Sequence, residues 1–162
     1  MNHFHANSRS DVAQTLMNYF RALDRADRPL LERCFTPDAE LDYPGYFVGD
    51  ATQFADFVIS DICNRFERTL HCASTMVIDV QDQTAHSESY ATAYHMPHGG
   101  SSIDRPFMTM WIRYIDRLVF SQEWRINRRT VVVEWVRTDA SGLWQSRTPN
   151  GSRDRSDPSY RR

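Results

Sequence analysis

Apolar residues recur every three or four positions early in the chain, which is the spacing of an amphipathic helix. The clearest stripe of this kind comprises Val12, Leu16, Tyr19, Phe20 and Leu23. Ser10 can cap this helix, so we expect it to begin near Asp11. Pro29 is a favoured first-turn residue for a second, short helix, and Asp50 can cap a third. The first part of the chain is therefore predicted to contain three helices.

The second part of the chain is rich in Thr, Tyr, Val, Ile and Trp, which favour strands. It predicts four long strands: Thr69–Val80, Gln83–Met96, Phe107–Phe120 and Glu123–Val136. A brief strand at Ala39–Tyr43 precedes them and ends in the turn signal Pro44-Gly45. Long strands joined by short connections predict a curved, mainly antiparallel sheet. Helices followed by such a meander predict an α+β domain, with the helices covering one face of the sheet.

Length and composition favour a single domain. The chain has 162 residues, of which 41% are hydrophobic and 25% are charged, as in a globular protein. We expect residues 1–9 to form a flexible arm and residues 10–138 to form the domain. Residues 139–162 are rich in Ser, Arg, Pro, Asp and Gly and predict an extended C-terminal tail. Within this tail, Trp144 and Tyr160 could contact the domain surface.

Charge and hydropathy exclude several classes of partner. Nineteen basic residues, all of them arginine, against twenty-one acidic ones give a net charge of -2, so neither nucleic acid nor a membrane is expected as a partner. The N-terminal residues lack the apolar centre of a secretion signal. Cys34, Cys63 and Cys72 are odd in number and show no CxxC spacing, which predicts reduced, mostly buried thiols. We therefore expect a cytoplasmic protein.

Asp24 is the first residue whose position suggests chemistry. It lies four residues after Phe20, at the edge of the first apolar stripe. A carboxylate at such a position is partly buried, and burial disfavours its charge unless a donor or a cation compensates. The alternative is a solvated residue at a helix end, among the charged neighbours Arg21, Arg25 and Asp27.

His71 is the second such residue. It lies within a predicted strand and shares a face with Ala73 and Thr75 by the two-residue period. Small neighbours leave room beside the ring, as the wall of a pocket would, and histidine is readily tuned for proton transfer near neutral pH. The alternative is a histidine that is hydrogen-bonded in the core or on the outer face of the sheet.

Two neighbouring strands add candidates for binding. His95 ends a strand face of small residues, which leaves volume above that face: Ala85, Ser87, Ser89, Ala91 and Ala93. Trp111 and Arg113 share a face of the next strand, where they could form a substrate clamp or an exposed cation stacked on an aromatic ring. Phosphate-binding glycine loops, the GxSxG elbow and HExxH are absent, and Pro97 separates His95 from His98, so we predict no metal and no cofactor.

Four segments of the chain resemble one known family. They are YFRALDRAD (19–27), ELDYPG (40–45), RTLHCAST (68–75) and WRINRRTVVVEW (124–135). Over residues 8–138 this pattern resembles the SnoaL-like branch of the nuclear-transport-factor-2-like superfamily. Within that branch it is similar to scytalone dehydratase, to bile-acid dehydratases and to hexachlorocyclohexane dehydrochlorinase. The resemblance implies a cone-shaped α+β barrel whose curved sheet is covered by three N-terminal helices.

The resemblance also implies roles for particular residues. Those lyases pair an Asp at the end of the first helix with a His on the first long strand, and Asp24 and His71 match both positions. The substrate-binding positions of the family are matched by Tyr19, Tyr43 and His95. Trp111 and Arg113 replace a Ser and an Asn of scytalone dehydratase, which implies a smaller pocket that favours anions.

The expected function is a cofactor-independent lyase, dehydratase-like, or an isomerase. It would act through an Asp-His general-base dyad on a small cyclic, polyketide-like or steroid-like substrate. Two alternatives remain: a non-catalytic ligand-binding or assembly module of the same fold, and an aldol-type polyketide cyclase. Four aromatic residues are expected on the outer face of the sheet and predict a homodimer or homotrimer. They are Tyr90, Tyr94, Tyr114 and Trp135.

Overall fold

A computed structural model describes residues 4–140 and 152–160, with side chains from residue 8 onward. The helices in it are α1 (Phe4–Arg25), α2 (Arg28–Arg33), α3 (Ala51–Phe57) and α4 (Cys63–Arg65). A π-helical turn, Val58–Ile62, joins α3 to α4, and a 3₁₀ turn spans Pro158–Tyr160. The strands are β1 (Phe35–Tyr43), β2 (Phe47–Gly49), β3 (Phe66–Gln81), β4 (Thr84–Pro97), β5 (Phe107–Phe120) and β6 (Trp124–Asp139).

The first helix is longer than the sequence predicts. It begins at Phe4, so residues 4–9 of the expected arm are helical, and Ser10 lies inside the helix instead of capping it. The apolar stripe of this helix is buried as predicted. Asp27 caps α2, because its carboxylate accepts a hydrogen bond from the backbone N–H of Leu30. Helical spacing therefore predicts the buried face of α1 correctly, whereas the capping signal at Ser10 places the start of the helix too late.

The six strands form one curved, unclosed mixed sheet in the order β2-β1-β6-β5-β4-β3. All neighbouring strands are antiparallel except β1 and β6, which are parallel. Register shifts with extra residues interrupt β3 and β6, and such bulges increase the bend of a sheet. The predicted α+β cone with a mainly antiparallel sheet and three N-terminal helices is thereby confirmed.

The helices cover the concave face of this sheet. Helix α1 packs across β3 and β6, and α3 packs on β1. The face of small residues on β4 points inward, as its alternation predicts, and all of it is buried together with His95. The predicted turn at Pro44-Gly45 is present, with Gly45 at a φ of +76° that favours glycine. Space for a site therefore lies between the end of α1, α3 and the curved sheet.

Several residues occupy other surroundings than the sequence predicts. Tyr114 is buried in the core and is not part of the outer face, whereas Tyr90 and Trp135 are exposed there. Of the three cysteines, Cys34 is buried but Cys72 is exposed, contrary to expectation. In residues 4–140 and 152–160, no helix is long and apolar enough to cross a bilayer.

The C-terminal segment 152–160 packs on the end of α1. The hydroxyl of Tyr160 donates a hydrogen bond to Asp27 at 2.7 Å, and the Arg21 guanidinium stacks 4.7 Å from the Tyr160 ring. Asp157 is buried beside Arg25, with 3.7 Å between Oδ1 and Nε. This part of the predicted tail therefore contacts the domain, while Trp144 lies outside the described residues.

Candidate active site

Asp24 and His71 are in direct contact. Asp24 belongs to the last turn of α1, and His71 lies in β3, on which that helix packs. Oδ1 of Asp24 is 2.7 Å from Nδ1 of His71. The two side chains are only 9% and 6% exposed, respectively. Of the two alternatives for Asp24, a partly buried carboxylate and a solvated residue at a helix end, the structure shows the buried carboxylate.

Two further donors hold the Asp24 carboxylate. The Thr69 hydroxyl donates to Oδ1 at 3.0 Å, and the backbone N–H of His71 donates to Oδ2 at 2.9 Å. Because an ionised carboxylate only accepts hydrogen bonds, Nδ1 of a neutral His71 carries the proton. Nε2 is then the basic nitrogen of a ring that lines the cavity. The arrangement suits a general base whose tautomer is fixed by its carboxylate partner.

His95 and Phe20 flank the His71 ring. The Phe20 ring stacks on it at 6.0 Å between centroids, and His95 meets it edge-on, also at 6.0 Å. Burial, together with the neighbouring His71, lowers the pKa of His95 to about 3. His95 is therefore a neutral ring at the cavity wall, able to form a hydrogen bond without adding positive charge beside His71.

The cavity that His71 lines has a volume of about 90 Å³ and lies between the helices and the sheet. Its polar lining comes from Thr69, His71, His95 and several tyrosines. The rest is apolar: Leu23, Phe54, Phe57, Val58, Ile62, Met110, Ile112, Val131 and Val133. An apolar hollow with a few convergent polar groups is typical of a small-molecule site.

Tyr19 and Tyr43 both line the cavity, and their hydroxyl groups are in contact. The two oxygen atoms are 2.9 Å apart, and Nη1 of Arg129 donates to the Tyr43 hydroxyl at 3.5 Å. Burial raises the pKa of both tyrosines above the ordinary value. Both are therefore protonated near neutral pH. Because one hydroxyl donates to the other, one of the pair keeps a hydrogen that can be donated to a ligand oxygen.

A buried ion pair, Arg129 with Asp116, supports these tyrosines. Both side chains are fully buried, and two hydrogen bonds of 2.7 and 2.8 Å join them. The guanidinium lies 3.9 Å from the ring centroid of Tyr19 and 4.7 Å from that of Tyr114. Neither Arg129 nor Asp116 is among the site residues that the sequence predicts, although the two-residue period of β5 puts Asp116 on the same face as Ile112 and Tyr114.

The expectation that Trp111 and Arg113 line the pocket is corrected by the structure. Side chains alternate across β5, and Ile112 and Tyr114 are the residues that line the cavity. Arg113 lies on the outer face, where its guanidinium pairs with Glu88 at 2.8 Å and with Glu134. Trp111 packs there against Trp135, with ring centroids 5.5 Å apart. Among the described residues that line the cavity there is therefore no arginine, contrary to the sequence prediction.

The structure brings the other sequence-predicted site residues together. His71, Tyr19, Tyr43 and His95 all line the cavity, and Asp24 lies behind His71. Thr75 does not continue the inner face of β3, because a bulge after Ala73 exposes it. Within the described part of the chain, no three His, Cys, Asp or Glu side chains are grouped so as to hold a metal ion.

One family model matches the sequence. It describes a SnoaL-like domain and matches residues 5–130. This range includes every residue that lines the cavity except Val131 and Val133. No curated protein matches the chain in sequence.

Several solved structures share the fold at low sequence identity. A candidate scytalone dehydratase from Novosphingobium aromaticivorans has a TM-score of 0.72 and 21% identity, covering 85% of this chain and 94% of that one. The hexachlorocyclohexane dehydrochlorinase LinA-type3 from Novosphingobium barchaimii has a TM-score of 0.76 and 12% identity, with coverages of 86% and 94%. A candidate aromatic ring hydroxylase from N. aromaticivorans has a TM-score of 0.73 and 16% identity, with coverages of 82% and 93%. The names differ in chemistry, so these likenesses concern the fold alone.

Proposed function

This chain belongs to the SnoaL-like domain family, and from that premise we propose that it is a cofactor-independent, dehydratase-like lyase. The observation that carries the proposal is the 2.7 Å contact between Nδ1 of His71 and buried Asp24, beside a largely apolar cavity. That contact leaves Nε2 of His71 as the basic nitrogen. The names of two structural neighbours, a dehydratase and a dehydrochlorinase, agree with elimination chemistry.

In the proposed reaction the substrate is a β-hydroxy ketone or a related activated alcohol. Nε2 of His71 removes the proton next to the carbonyl, and the electron pair moves onto the carbonyl oxygen to form an enolate. As the enolate collapses, the C–O bond to the hydroxyl breaks and the new C=C bond forms. The proton held on His71 leaves with the hydroxyl as water, and the neutral imidazole is restored. Asp24 stabilises the imidazolium that exists between the two steps.

The hydroxyl groups of Tyr19 and Tyr43 bond each other, and the one that is not donating within the pair is the proposed donor to the enolate oxygen. Both residues line the cavity, and their hydroxyl groups remain protonated because burial raises the pKa of each. Fixed donors aimed at developing negative charge supply a large part of the rate enhancement in many enzymes. The positive charge of Arg129 near Tyr43 favours the same build-up of charge.

The cavity favours a compact substrate. Its volume of about 90 Å³ lies below the roughly 300–1,000 Å³ of sites for drug-sized ligands. Its wall is mostly aliphatic and aromatic, and Arg113 does not reach it. Among the substrate classes that the sequence suggests, these features favour a neutral molecule with a single ring over a steroid or an anion.

The test is turnover of a panel of cyclic β-hydroxy ketones by the purified protein and by the variants Asp24→Asn and His71→Ala. We expect dehydration by the wild type and a loss of about 10²–10⁴-fold in the His71 variant, the usual contribution of general base catalysis. His98→Ala is the matched control, because His98 is exposed and, in the described structure, its ring bonds the Cys63 carbonyl, away from the Asp24–His71 pair. Equal turnover by the wild type and both site variants would eliminate the dyad.

A second candidate function, a non-catalytic ligand-binding module, is favoured by one observation. Asp24 also accepts a hydrogen bond from the backbone N–H of His71 and so braces α1 against β3. If the pair is purely structural, breaking it should cost about 3–5 kcal/mol of stability, as for other buried pairs. A catalytic pair often costs much less. Urea unfolding of His71→Ala therefore distinguishes a binding module from a lyase. An aldol-type cyclase would use the same base, so only identification of the reaction product distinguishes it from a lyase.

A further inference from the structure

The C-terminal segment 152–160 reaches the Asp24–His71 pair from the side away from the cavity. Arg153 of this segment donates from Nη1 to the backbone carbonyl of Phe66 at 2.7 Å and from Nη2 to the Thr69 hydroxyl at 3.0 Å. A hollow on this side is lined by Asp24, Thr69 and Arg153 together. Arg153 is therefore next to the pair although it lines no part of the cavity that His71 faces.

The hydrogen bonds of Thr69 have a defined direction. A guanidinium can only donate, so the Thr69 oxygen accepts the hydrogen bond from Arg153. The hydroxyl hydrogen of Thr69 is then free to point at Oδ1 of Asp24, 3.0 Å away. The same Oδ1 atom faces Nδ1 of His71 at 2.7 Å. One continuous chain of hydrogen bonds thus runs from Arg153 through Thr69 and Asp24 to the proposed base.

The segment is held in place by contacts outside this chain of hydrogen bonds. Asp157 accepts from the backbone N–H of Ser152 at 2.8 Å and lies beside Arg25, while the Tyr160 hydroxyl bonds Asp27. The first two contacts fix the backbone immediately before Arg153. The position of the guanidinium is therefore determined by the fold of the segment and not only by its two acceptors.

We infer that Arg153 is a positioning residue, which acts through Thr69 to fix the Asp24 carboxylate. Segment 152–160 is then part of the site, although the family match ends at residue 130. The expected effect of Arg153 on the reaction rate rests on the proposed function. Its expected effect on the His71 ring, which is to hold the ring in its Nδ1–H form, does not rest on it.

The experiment uses the full-length protein with isotope-labelled histidine and follows the His71 ring by NMR, with His71→Gln to assign its signals. The wild type should show a single Nδ1–H tautomer whose proton exchanges slowly with water. Arg153→Ala should speed this exchange by about tenfold or more, the factor that corresponds to one lost hydrogen bond to a charged group. Arg155→Ala is the matched control, because Arg155 stacks on Tyr160 in the same segment without contacting Thr69.

A double-mutant cycle separates action through Thr69 from general loosening. Thr69→Val should speed exchange of the His71 Nδ1 proton at least as much as Arg153→Ala does. Thr69→Ser, which keeps the hydroxyl, should exchange at the wild-type rate. The Thr69→Val/Arg153→Ala double variant should exchange at the same rate as Thr69→Val alone. Independent, additive effects of the two variants would overturn the inference. So would an unchanged exchange rate in Arg153→Ala, whether or not its melting temperature falls.

Kinetics provide the second measurement once a substrate is found. Because Arg153 does not line the cavity, Arg153→Ala should lower kcat by about tenfold and leave KM within about twofold. A rise in KM with kcat unchanged would overturn the positioning role. If no substrate is turned over but the NMR cycle behaves as expected, the proposed lyase fails while the role of Arg153 stands.

Discussion

Among the single residues of the site, His95 has the most strongly altered protonation. Burial and the neighbouring His71 lower its pKa to about 3, so it remains neutral in the folded protein over the physiological range. An unfolded chain would protonate the same ring near its ordinary value of about 6.5. The folded state therefore binds fewer protons than the unfolded state between these two values, and acidification favours unfolding.

We predict that His95 makes stability fall as the pH is lowered from about 6.5 toward 4. The slope from this one group should approach 1.4 kcal/mol per pH unit, because one unit of pKa difference corresponds to about that energy. His95→Gln should lose this slope in urea unfolding measured at a series of pH values. His86→Gln, which changes an exposed histidine of the same strand, should keep it. Parallel pH profiles for His95→Gln and the wild type would contradict the prediction.

A buried charge is also a residue-scale feature, and Arg129 shows how it is tolerated. The fully buried guanidinium finds two acceptor oxygens on Asp116 and packs against the faces of Tyr19 and Tyr114. A planar guanidinium can form paired hydrogen bonds and stack on rings at the same time, which a lysine cannot do. Arg129 thereby holds positive charge near Tyr19 and Tyr114 without lining the cavity itself.

At the scale of elements, α3 depends on its first residue. Asp50 accepts a hydrogen bond from the backbone N–H of Gln53 at 2.8 Å, and the Gln53 side chain accepts one from the backbone N–H of Asp50 at 3.1 Å. This capping box satisfies donors that the first turn of a helix leaves unpaired. The helix is only seven residues long, so its stability comes from the cap and from packing Phe54 into the core.

We predict that Asp50→Ala destabilises the protein by about 1 kcal/mol, the usual cost of losing such a cap. The loss should appear as a lower urea midpoint with an unchanged slope, because the folded surface does not change. Thr52→Ala, an exposed substitution in the same helix, is the control and should stay within about 0.5 kcal/mol of the wild type. An unchanged midpoint for Asp50→Ala would show that packing alone holds α3.

At the scale of the whole molecule, the outer face of the sheet carries exposed apolar residues. Trp135 is 59% exposed, and Tyr90 and Ile115 are also exposed on this face. Beside them, Arg113 is neutralised by Glu88 and Glu134. A face that combines exposed aromatic rings with paired charges is typical of a protein–protein interface.

We therefore predict that the protein is a homodimer or homotrimer that associates through this face. Sedimentation at micromolar concentration should give a species larger than the 19.0 kDa monomer. Trp135→Glu should shift the equilibrium toward monomer, because it buries a charge in the proposed interface. Ile103→Glu is the control, since Ile103 is highly exposed but lies in the loop between β4 and β5. A wild type that sediments only as a monomer would contradict the prediction.

Local sequence patterns determined much of this protein: the α+β class, the buried stripe of α1, the inward face of β4 and the turn at Gly45. These follow from local rules, since 3.6-residue and two-residue spacing, caps and turn residues act within one segment. Spacing marked Asp24 and His71 as separate candidates, and the resemblance to a family paired them. The outward direction of Trp111 and Arg113 depends on the pairing of β5 with its neighbours, which no single segment encodes.

Tertiary structure decided what depends on distant segments meeting. The parallel pairing of β1 with β6, the Arg129–Asp116 ion pair and the contact of Arg153 with Thr69 each join residues that are far apart or on separate strands. A sequence pattern does not show how close two distant segments lie in the folded protein. The burial that lowers the pKa of His95 and encloses Asp24 likewise exists only when helices and sheet close around them, because desolvation is a property of the assembled surroundings.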